Sequence, residues 1–538
     1  MTSSETTDVV IIGGGHNGLT CAGYLARGGL KVKIVERRPV VGGAACTEEF
    51  HPGFRNSVYS YVVSLLSPKV IKDLELERHG LEVMDRHCGS FNALPDGQHL
   101  YMSRDPKEIQ AEIAKFSKKD AELFPEFEHL LEKLSLAVRA MINEAPPNLG
   151  GGLPELWTAL KTGNRLRHLS DKEQAALAEL MTMSIGDYLN RWFESDPIKG
   201  DFGFEGVIGN FVGPYAQGSA YVLLHHSIGQ AHGRDGAWGH ARGGMGSIAK
   251  ALERSCAAYN VEIETDAPVR EVLTEKGRAV GVVLEDGRTI RAKAVASNLN
   301  PKLLFSGMVD ETLLPADFKR RIGGWRNRSG SFRMNVALSE MPRFTSLEGA
   351  EKPQAYLSGT INICPSLDYI QAAYDDARTT GWAKRPIVSM CIPSTLDDSL
   401  APEGQHVASL FCQHFNPELP GGRSWDEVKE EVADLIIDRV NEVAPNFKQA
   451  VVGRQVKSPL DLERDLGLLG GDIFHGALHL DQIYSLRPAA GYADYRMPVP
   501  GLYLCGSGAH PGGGVSGLPG HHAAAAILKD ARRGGLAA

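Results

Sequence analysis

Paired cysteines are missing from this chain. Its eight cysteines (Cys21, Cys46, Cys88, Cys256, Cys364, Cys391, Cys412 and Cys505) are scattered, and no two have CxxC spacing. That gives no signature of a zinc knuckle or a dithiol redox centre, and fits reduced, mostly buried thiols in a cytoplasmic protein. A basic excess is missing too. Lys plus Arg number 57 against 65 for Asp plus Glu, a formal charge of −8, so nucleic acid is not an expected partner. The chain lacks an apolar run of about 18 residues and a basic stretch followed by an apolar one near Met1, so neither a membrane span nor a secretory signal is expected. The histidines have no acidic companions at ligand spacing, and no metal is expected. There is no internal repeat.

What is present begins at the first strand. Val9-Val10-Ile11-Ile12 is a β-branched run. It is followed directly by Gly13-Gly-Gly15-His16-Asn17-Gly18 and then by helical sequence from Leu19 to Arg27. This is G-x-G-x-x-G in its proper setting between strand and helix. The first glycine allows the tight turn, the second lets backbone approach a pyrophosphate, and the third lets helix and strand pack closely. The helix start offers bare N–H groups and partial positive charge to phosphate. A second strand, Val32 to Val35, ends at Glu36, placed to grip ribose hydroxyls. Beyond it, Arg37-Arg38-Pro-Val-Val-Gly42-Gly43-Ala44-Ala45-Cys46 adds a glycine pair of the kind that gives FAD proteins a further contact. A second nucleotide fingerprint is lacking, because His240-Ala-Arg242 before Gly243-Gly-Met-Gly246 is not a convincing strand. FAD is therefore expected rather than NAD.

The remaining text divides by period. Lys107 to Ile142 and Asp171 to Phe193 read as helices, separated by the Pro- and Gly-containing stretch from Glu144 to Pro154. Strands return near Val261, Val269, Ala279 and Thr289, and again at Arg333 to Leu338, Ile387 to Ile392 and Val407 to Cys412. Trp425 to Val443 reads as an amphipathic helix, Gly501 to Cys505 as a strand, and Gly520 to Ala531 as a closing helix. The expected fold class is α/β. A discontinuous Rossmann-type FAD-binding domain (1–105, 236–305 and 456–538) carries an inserted mixed α+β substrate domain (106–235 and 306–455).

Several blocks carry a family resemblance: GGGHNGL, ERRPVVGGAACTEEFHPGF and SLLSPKVIKDLELERHGL, then GGMGSIAKAL, ASNLNP, GDIFHG and GLYLCGSGAHPGGGVSGLPG. They resemble the pyridine nucleotide-disulphide oxidoreductase domain-containing proteins of the second kind. More widely they are similar to the bacterial-type phytoene desaturases, in the flavoprotein superfamily that includes monoamine oxidase. The blocks run from end to end, so the resemblance covers essentially the whole chain. It implies a glutathione-reductase-like, amine-oxidase-like architecture. It places Val269 at the adenine, Gly506 and Ser507 at the ribitol phosphate, and Gly514 with Val515-Ser516 at the pyrimidine edge of a flavin. Many relatives have an acidic residue where this chain has Ser507.

An FAD-dependent dehydrogenase, desaturase or oxidase is the reading that results, passing a hydride from a C–C or C–N bond of an apolar small molecule to flavin N5, with oxygen or a quinone as acceptor. His240 and Arg242, on the return towards the flavin, are the candidate catalytic residues. One alternative is a flavoprotein whose FAD is mainly structural and which acts as a binding or assembly partner. Another is an amine oxidase, for which Trp238, Tyr484 and Tyr492 are the candidate aromatic residues. The segments Leu153 to Leu160 and Leu180 to Trp192 are apolar enough to line a tunnel or rest on a bilayer, so peripheral membrane contact is compatible with the sequence, as is a homo-oligomer.

Overall fold

A computed structural model describes residues 5–536. Two sheets organise the molecule. The first is built on the strand Glu5–Ile12, which pairs in parallel with Val32–Val35 on one side and with Thr289–Ser297 on the other. These strands are buried on both faces, hence their nearly unbroken valine, isoleucine and alanine. The long strand Thr289–Ser297 splits its outer edge. Its first half pairs antiparallel with Arg278–Leu284, and its second half pairs in parallel with Leu502–Leu504 from the far end of the chain. Ile12, Val35, Ser297 and Leu504 stand in register, so the four turns that follow them emerge along one carboxyl edge. That edge is where an open α/β sheet binds ligands.

Helices His16–Arg27 and Leu518–Arg532 cover one face of this sheet and approach each other very closely. A Cβ on Gly520 would stand 2.1 Å from the Asn17 carbonyl oxygen, so the crossing admits only glycine there. Behind them the Cys21 thiol meets Cys505 in the core. Both are fully buried, and the Cys505 contact followed by burial raises the Cys21 thiol well above the ordinary range. A protonated thiol in dry surroundings is a poor nucleophile, so this contact is a packing feature and not a dithiol redox centre.

The second sheet runs in the order Val451–Lys457, Phe332–Leu338, His406–Phe415, Trp382–Cys391, Thr360–Ile363, Ser90–Ala93, His99–Met102. Its last two strands lie before residue 105, so the chain enters this layer earlier than composition suggests. One face is apolar (Phe332, Met334, Val336, Val388, Leu410) and is closed by helix Trp425–Asn441. The opposite face buries Arg333, Asn335, Asn362, Ser389, Ser409 and Gln413. Helices between Pro106 and Ser227 form a third body. Serine caps break the two long helical stretches expected there. Ser117 accepts from Asp120 N to start Lys118–Ile142, and Ser184 accepts from Asp187 N to start Ile185–Trp192. The sequence GGMG does follow a short strand, Gly239–Ala241, but this strand pairs with Val83–Asp85 in a two-stranded ribbon outside the first sheet. The next helix, Gly246–Ala258, has its leading amides already bonded, Met245 N to Ser57 Oγ (2.9 Å) and Gly246 N to Thr47 Oγ1 (3.0 Å). It offers nothing to a phosphate. Among the described residues, no helix is long and apolar enough to cross a membrane.

Candidate functional site

A cavity of ≈ 280 Å³ opens at the carboxyl edge of the first sheet. Its wall is assembled from the turns after all four in-register strands. Gly13, Gly15, His16 and Asn17 follow the first, and Glu36, Arg37 and Arg38 the second. Asn298 and Leu299 follow the third, and Ser507 the fourth; Gly43, Ala44 and Val269 complete the set that sequence reasoning named.

The glycine loop is held rigidly. Gly13 takes φ +93°, where a side chain would be strained, and its amide donates to Val35 O at 2.8 Å. Gly42, at φ +117°, donates to Gly14 O at 2.8 Å, and Ala45 N closes a turn onto Gly42 O at 3.0 Å. The glycine pair thus lies against the first loop, backbone on backbone, and a Cβ on Gly43 would come within 3.2 Å of Gly15 Cα. Glu36 is set by two amides, Gly14 N on Oε2 (2.7 Å) and Arg38 N on Oε1 (2.9 Å). Asn17 Nδ2 donates to Ser507 Oγ at 3.1 Å, joining the two ends of the chain over the cavity floor.

Seven of the proposed cofactor residues stand behind this wall. Gly18 and Gly506 serve close packing, their added Cβ atoms falling 2.2 Å from Gly13 O and 2.6 Å from Asn298 O. Gly42 and Ala45 form the back of the glycine-pair turn. Gly514, Val515 and Ser516 belong to the loop before helix Leu518–Arg532, which packs on Leu65 and accepts from Ser67 N at Ser516 O. That loop is approached by His16, beside the Gly514 backbone, and by His225, beside the Gly513 backbone.

The catalytic expectation for His240 and Arg242 is corrected by the geometry. His240 Nε2 lies 3.2 Å from Asp397 Oδ2, and the same carboxylate accepts from Gly243 N (2.6 Å) and, through Oδ1, from Ser399 N (3.0 Å) and Ser399 Oγ (2.6 Å). Arg242 reaches outward to Asp398. Neither lines the cavity; both fasten the ribbon to the second sheet. The aromatic trio is dispersed as well: Trp238 packs on His226, Tyr484 on His510, and Tyr492 on Phe318.

Other residues of the cavity wall were not among those assigned from the sequence. Asn298, Ala267, Pro268, Asp465, Gly467 and His475 line the cavity. The ASNLNP and GDIFHG blocks were visible signals for Asn298 and His475. Arg487 is a second omission. Fully buried, it donates to Phe474 O (2.7 Å), Gln482 O (2.9 Å), Gly476 O (3.3 Å) and Ser507 O (2.7 Å), tying the segment after Asp472 to the fourth turn. Burial lowers its guanidinium to about 10 and raises the Asp472 carboxyl to about 6.

The donor chemistry fits a flavin dinucleotide. Around the cavity, Arg38 Nη1, His16 Nε2, Asn17 Oδ1 and His475 Nδ1 are buried without a hydrogen-bond partner. Buried polar atoms of this kind are expensive unless a ligand satisfies them. Burial holds His16 near 4 and His475 near 3, so both imidazoles are neutral at pH 7.

Comparison with known proteins agrees with this geometry. The family model "Flavin containing amine oxidoreductase" matches residues 18–332. The pyridine nucleotide-disulfide oxidoreductase domain-containing protein 2 of Rattus norvegicus is 41% identical over 97% of this chain and 93% of its own length. The hydroxyneurosporene desaturase of Cereibacter sphaeroides is 27% identical over 97% of each chain. Among solved structures, wild-type putrescine oxidase bound to putrescine superposes with a TM-score of 0.61 at 16% identity, covering 99% of this chain and 100% of that one. That last likeness bears on the fold alone.

Proposed function

The chain belongs to the flavin-containing amine oxidoreductase family, together with the pyridine nucleotide-disulfide oxidoreductase domain-containing protein 2 relatives, and is an FAD-dependent oxidoreductase; from that premise we propose that it is a dehydrogenase, desaturase or oxidase that takes a hydride from a C–C or C–N bond of an apolar small molecule, with oxygen or a quinone as final acceptor. The observation that carries the reading is the cavity wall running from Glu36 and Val269 to Asn17 and Ser507, with orphaned polar atoms of Arg38, His16, Asn17 and His475 along it.

When bound, FAD supplies the hydride acceptor. The chain supplies position and charge. Gly15 and the start of helix His16–Arg27, set by the turn at Gly13, would direct bare amides and a helix dipole towards a pyrophosphate. Glu36 would hold a ribose, and Arg38, whose guanidinium pairs with Glu48 at 3.2 Å, adds a nearby cation. The loop Gly512–Gly517 stands at the start of helix Leu518–Arg532, where amides would stabilise negative charge at the edge of a bound flavin ring. His16, His225 and His475 stay uncharged by burial, and each can accept or donate a hydrogen bond without taking up a proton at pH 7. The carotenoid desaturase among the relatives supports the apolar substrate and the desaturase reading.

The test is anaerobic mixing of purified holoprotein with long-chain polyenes, cyclic terpenes and alkylamines while flavin absorbance is followed. Bleaching by a polyene or terpene supports dehydrogenation at carbon, and bleaching by amines alone moves the assignment to amine oxidation. A flavin that no substrate bleaches, yet dithionite reduces at once, would overturn the enzymatic reading in favour of a structural FAD.

A further inference from the structure

Helix Leu153–Leu166 is built inside out. A surface helix of a water-soluble protein turns its apolar stripe to the core. Here Leu153, Leu156, Trp157 and Leu160, at i, i+3, i+4 and i+7, are 74%, 54%, 73% and 55% exposed, and no residue of the helix is buried. Its polar side faces the protein instead: Thr162 Oγ1 meets Tyr484 Oη at 3.3 Å, and Glu155 Oε2 accepts from Asn148 N at 2.8 Å. The apolar stripe is continued by Leu149, also half exposed on the preceding loop.

We propose that this helix lies in the surface of an anionic lipid bilayer, with Leu153, Leu156, Trp157 and Leu160 in the acyl boundary. Three observations favour lipid over protein. From Glu144 to His168 the acids are Glu144 and Glu155, against Lys161, Arg165 and Arg167; Glu144 pairs with Lys161 (3.8 Å) and Arg165 (2.5 Å), and one cation remains in excess in a chain whose net charge is −8. The Lys161 side chain is 67% exposed at the border of the apolar stripe and only loosely paired with Glu144 at 3.8 Å, so its ammonium can exchange that partner for headgroup phosphate. The exposed apolar area of the four side chains is roughly 500 Å², below the roughly 800 Å² per partner of a stable dimer. The placement also suits a greasy ligand. Thr162 leads to Tyr484, and the Tyr484 ring packs edge-on at 5.4 Å against His510, within the segment that ends in the loop at Gly512–Gly517. A substrate dissolved in the membrane would thus arrive beside the elements that close over the flavin.

Flotation of holoprotein with vesicles of phosphatidylcholine, with and without phosphatidylglycerol, tests this without any substrate, so its outcome is separate from that of the activity assay. The wild type should float with the mixed vesicles. The L156S/W157S/L160S variant, with flavin spectrum and circular dichroism unchanged, should partition at least about tenfold less. Lipids brominated on the acyl chain should quench a fraction of wild-type tryptophan fluorescence that W157F lacks. Failure of the wild type to float with either vesicle overturns the proposal. So does a wild-type dimer in sedimentation that the triple variant converts to monomer without any vesicle binding, which would make this face a contact between copies.

Discussion

Gly18→Ala is a demanding test of the dinucleotide site, because the glycine touches no ligand. The added methyl would stand 2.2 Å from Gly13 O, where about 3.4 Å is ordinary contact. The carbonyl cannot step aside cheaply: Gly13 sits at φ +93° with its amide tied to Val35 O, and Asn298 Nδ2 approaches the same oxygen at 3.4 Å. The helix start must therefore lift from the strand by about an ångström, taking the phosphate-facing amides of Gly15 and His16 with it. Overpacking of this kind costs about 1–3 kcal/mol. If that cost falls on binding, the Kd for FAD rises about 5- to 150-fold; if it falls on folding, Tm drops. The assay is titration of apoprotein with FAD, followed by flavin fluorescence quenching, together with thermal denaturation. Gly163→Ala is the control, since its methyl would meet nothing within 4 Å on an exposed helix and should stabilise by about 0.5–1 kcal/mol. A Gly18→Ala protein with wild-type FAD affinity and unchanged Tm would refute the reasoning about the turn.

The other predictions use the same geometry. Glu36→Ala removes the acceptor of two backbone amides and the group proposed to hold a ribose, and should weaken FAD binding by about 10- to 100-fold in the same titration; an unchanged Kd would remove Glu36 from the site. Asp397→Ala should lower stability by about 3–5 kcal/mol, measured by urea unfolding, since the carboxylate is fully buried and holds His240, Gly243 and Ser399. His240→Gln should leave the rate of flavin reduction within about twofold, and a hundredfold loss would restore His240 to catalysis. Melting temperature should peak around pH 6.5. Burial depresses His16 and His226 to about 4 and His225, His475, His510 and His522 to about 3, against 6.5 unfolded. Below pH 6.5 the unfolded chain binds protons that the folded one refuses, and stability is lost as pH falls towards those values, by up to about 1.4 kcal/mol per pH unit for each histidine. Glu205 acts in the opposite sense. Burial and then Asp201 push it up to about 8 from 4.5, so its contribution is complete below 4.5 and disappears as pH rises through 8. Glu205→Gln should flatten that alkaline limb in a scan of Tm against pH.

The discontinuous Rossmann-type plan with its insert and most of the cavity wall were legible because they are written in backbone terms. A tight turn at φ +93°, an amide turned to a phosphate and a close helix crossing each require glycine, and glycine stands out in a one-dimensional text. Glu36 was legible because strand length fixes its offset from Gly13. The helical insert was read less sharply. Ser117 and Ser184 cap new helices inside stretches of unbroken helical composition, and periodicity does not register a cap. The entry into the second sheet at Ser90–Ala93 was illegible for another reason: the neighbour of that strand is Thr360–Ile363, and nothing local announces a partner so distant.

Side-chain chemistry was the least legible part, and His240 shows why. Its place in the sequence, just before a glycine-rich block, suggested a site at the flavin, but its role is fixed by Asp397, 157 residues away. Conversely, the residues that surround the loop at Gly513 and Gly514 come from four separate segments: His16 from the first helix, Leu65 from the loop before helix Pro68–Asp73, His225 from the helical insert and Phe474 from the return to the first domain. A backbone cradle can be spelled by one continuous motif. The chemistry set against it is a meeting of distant segments, and no local motif announces that meeting.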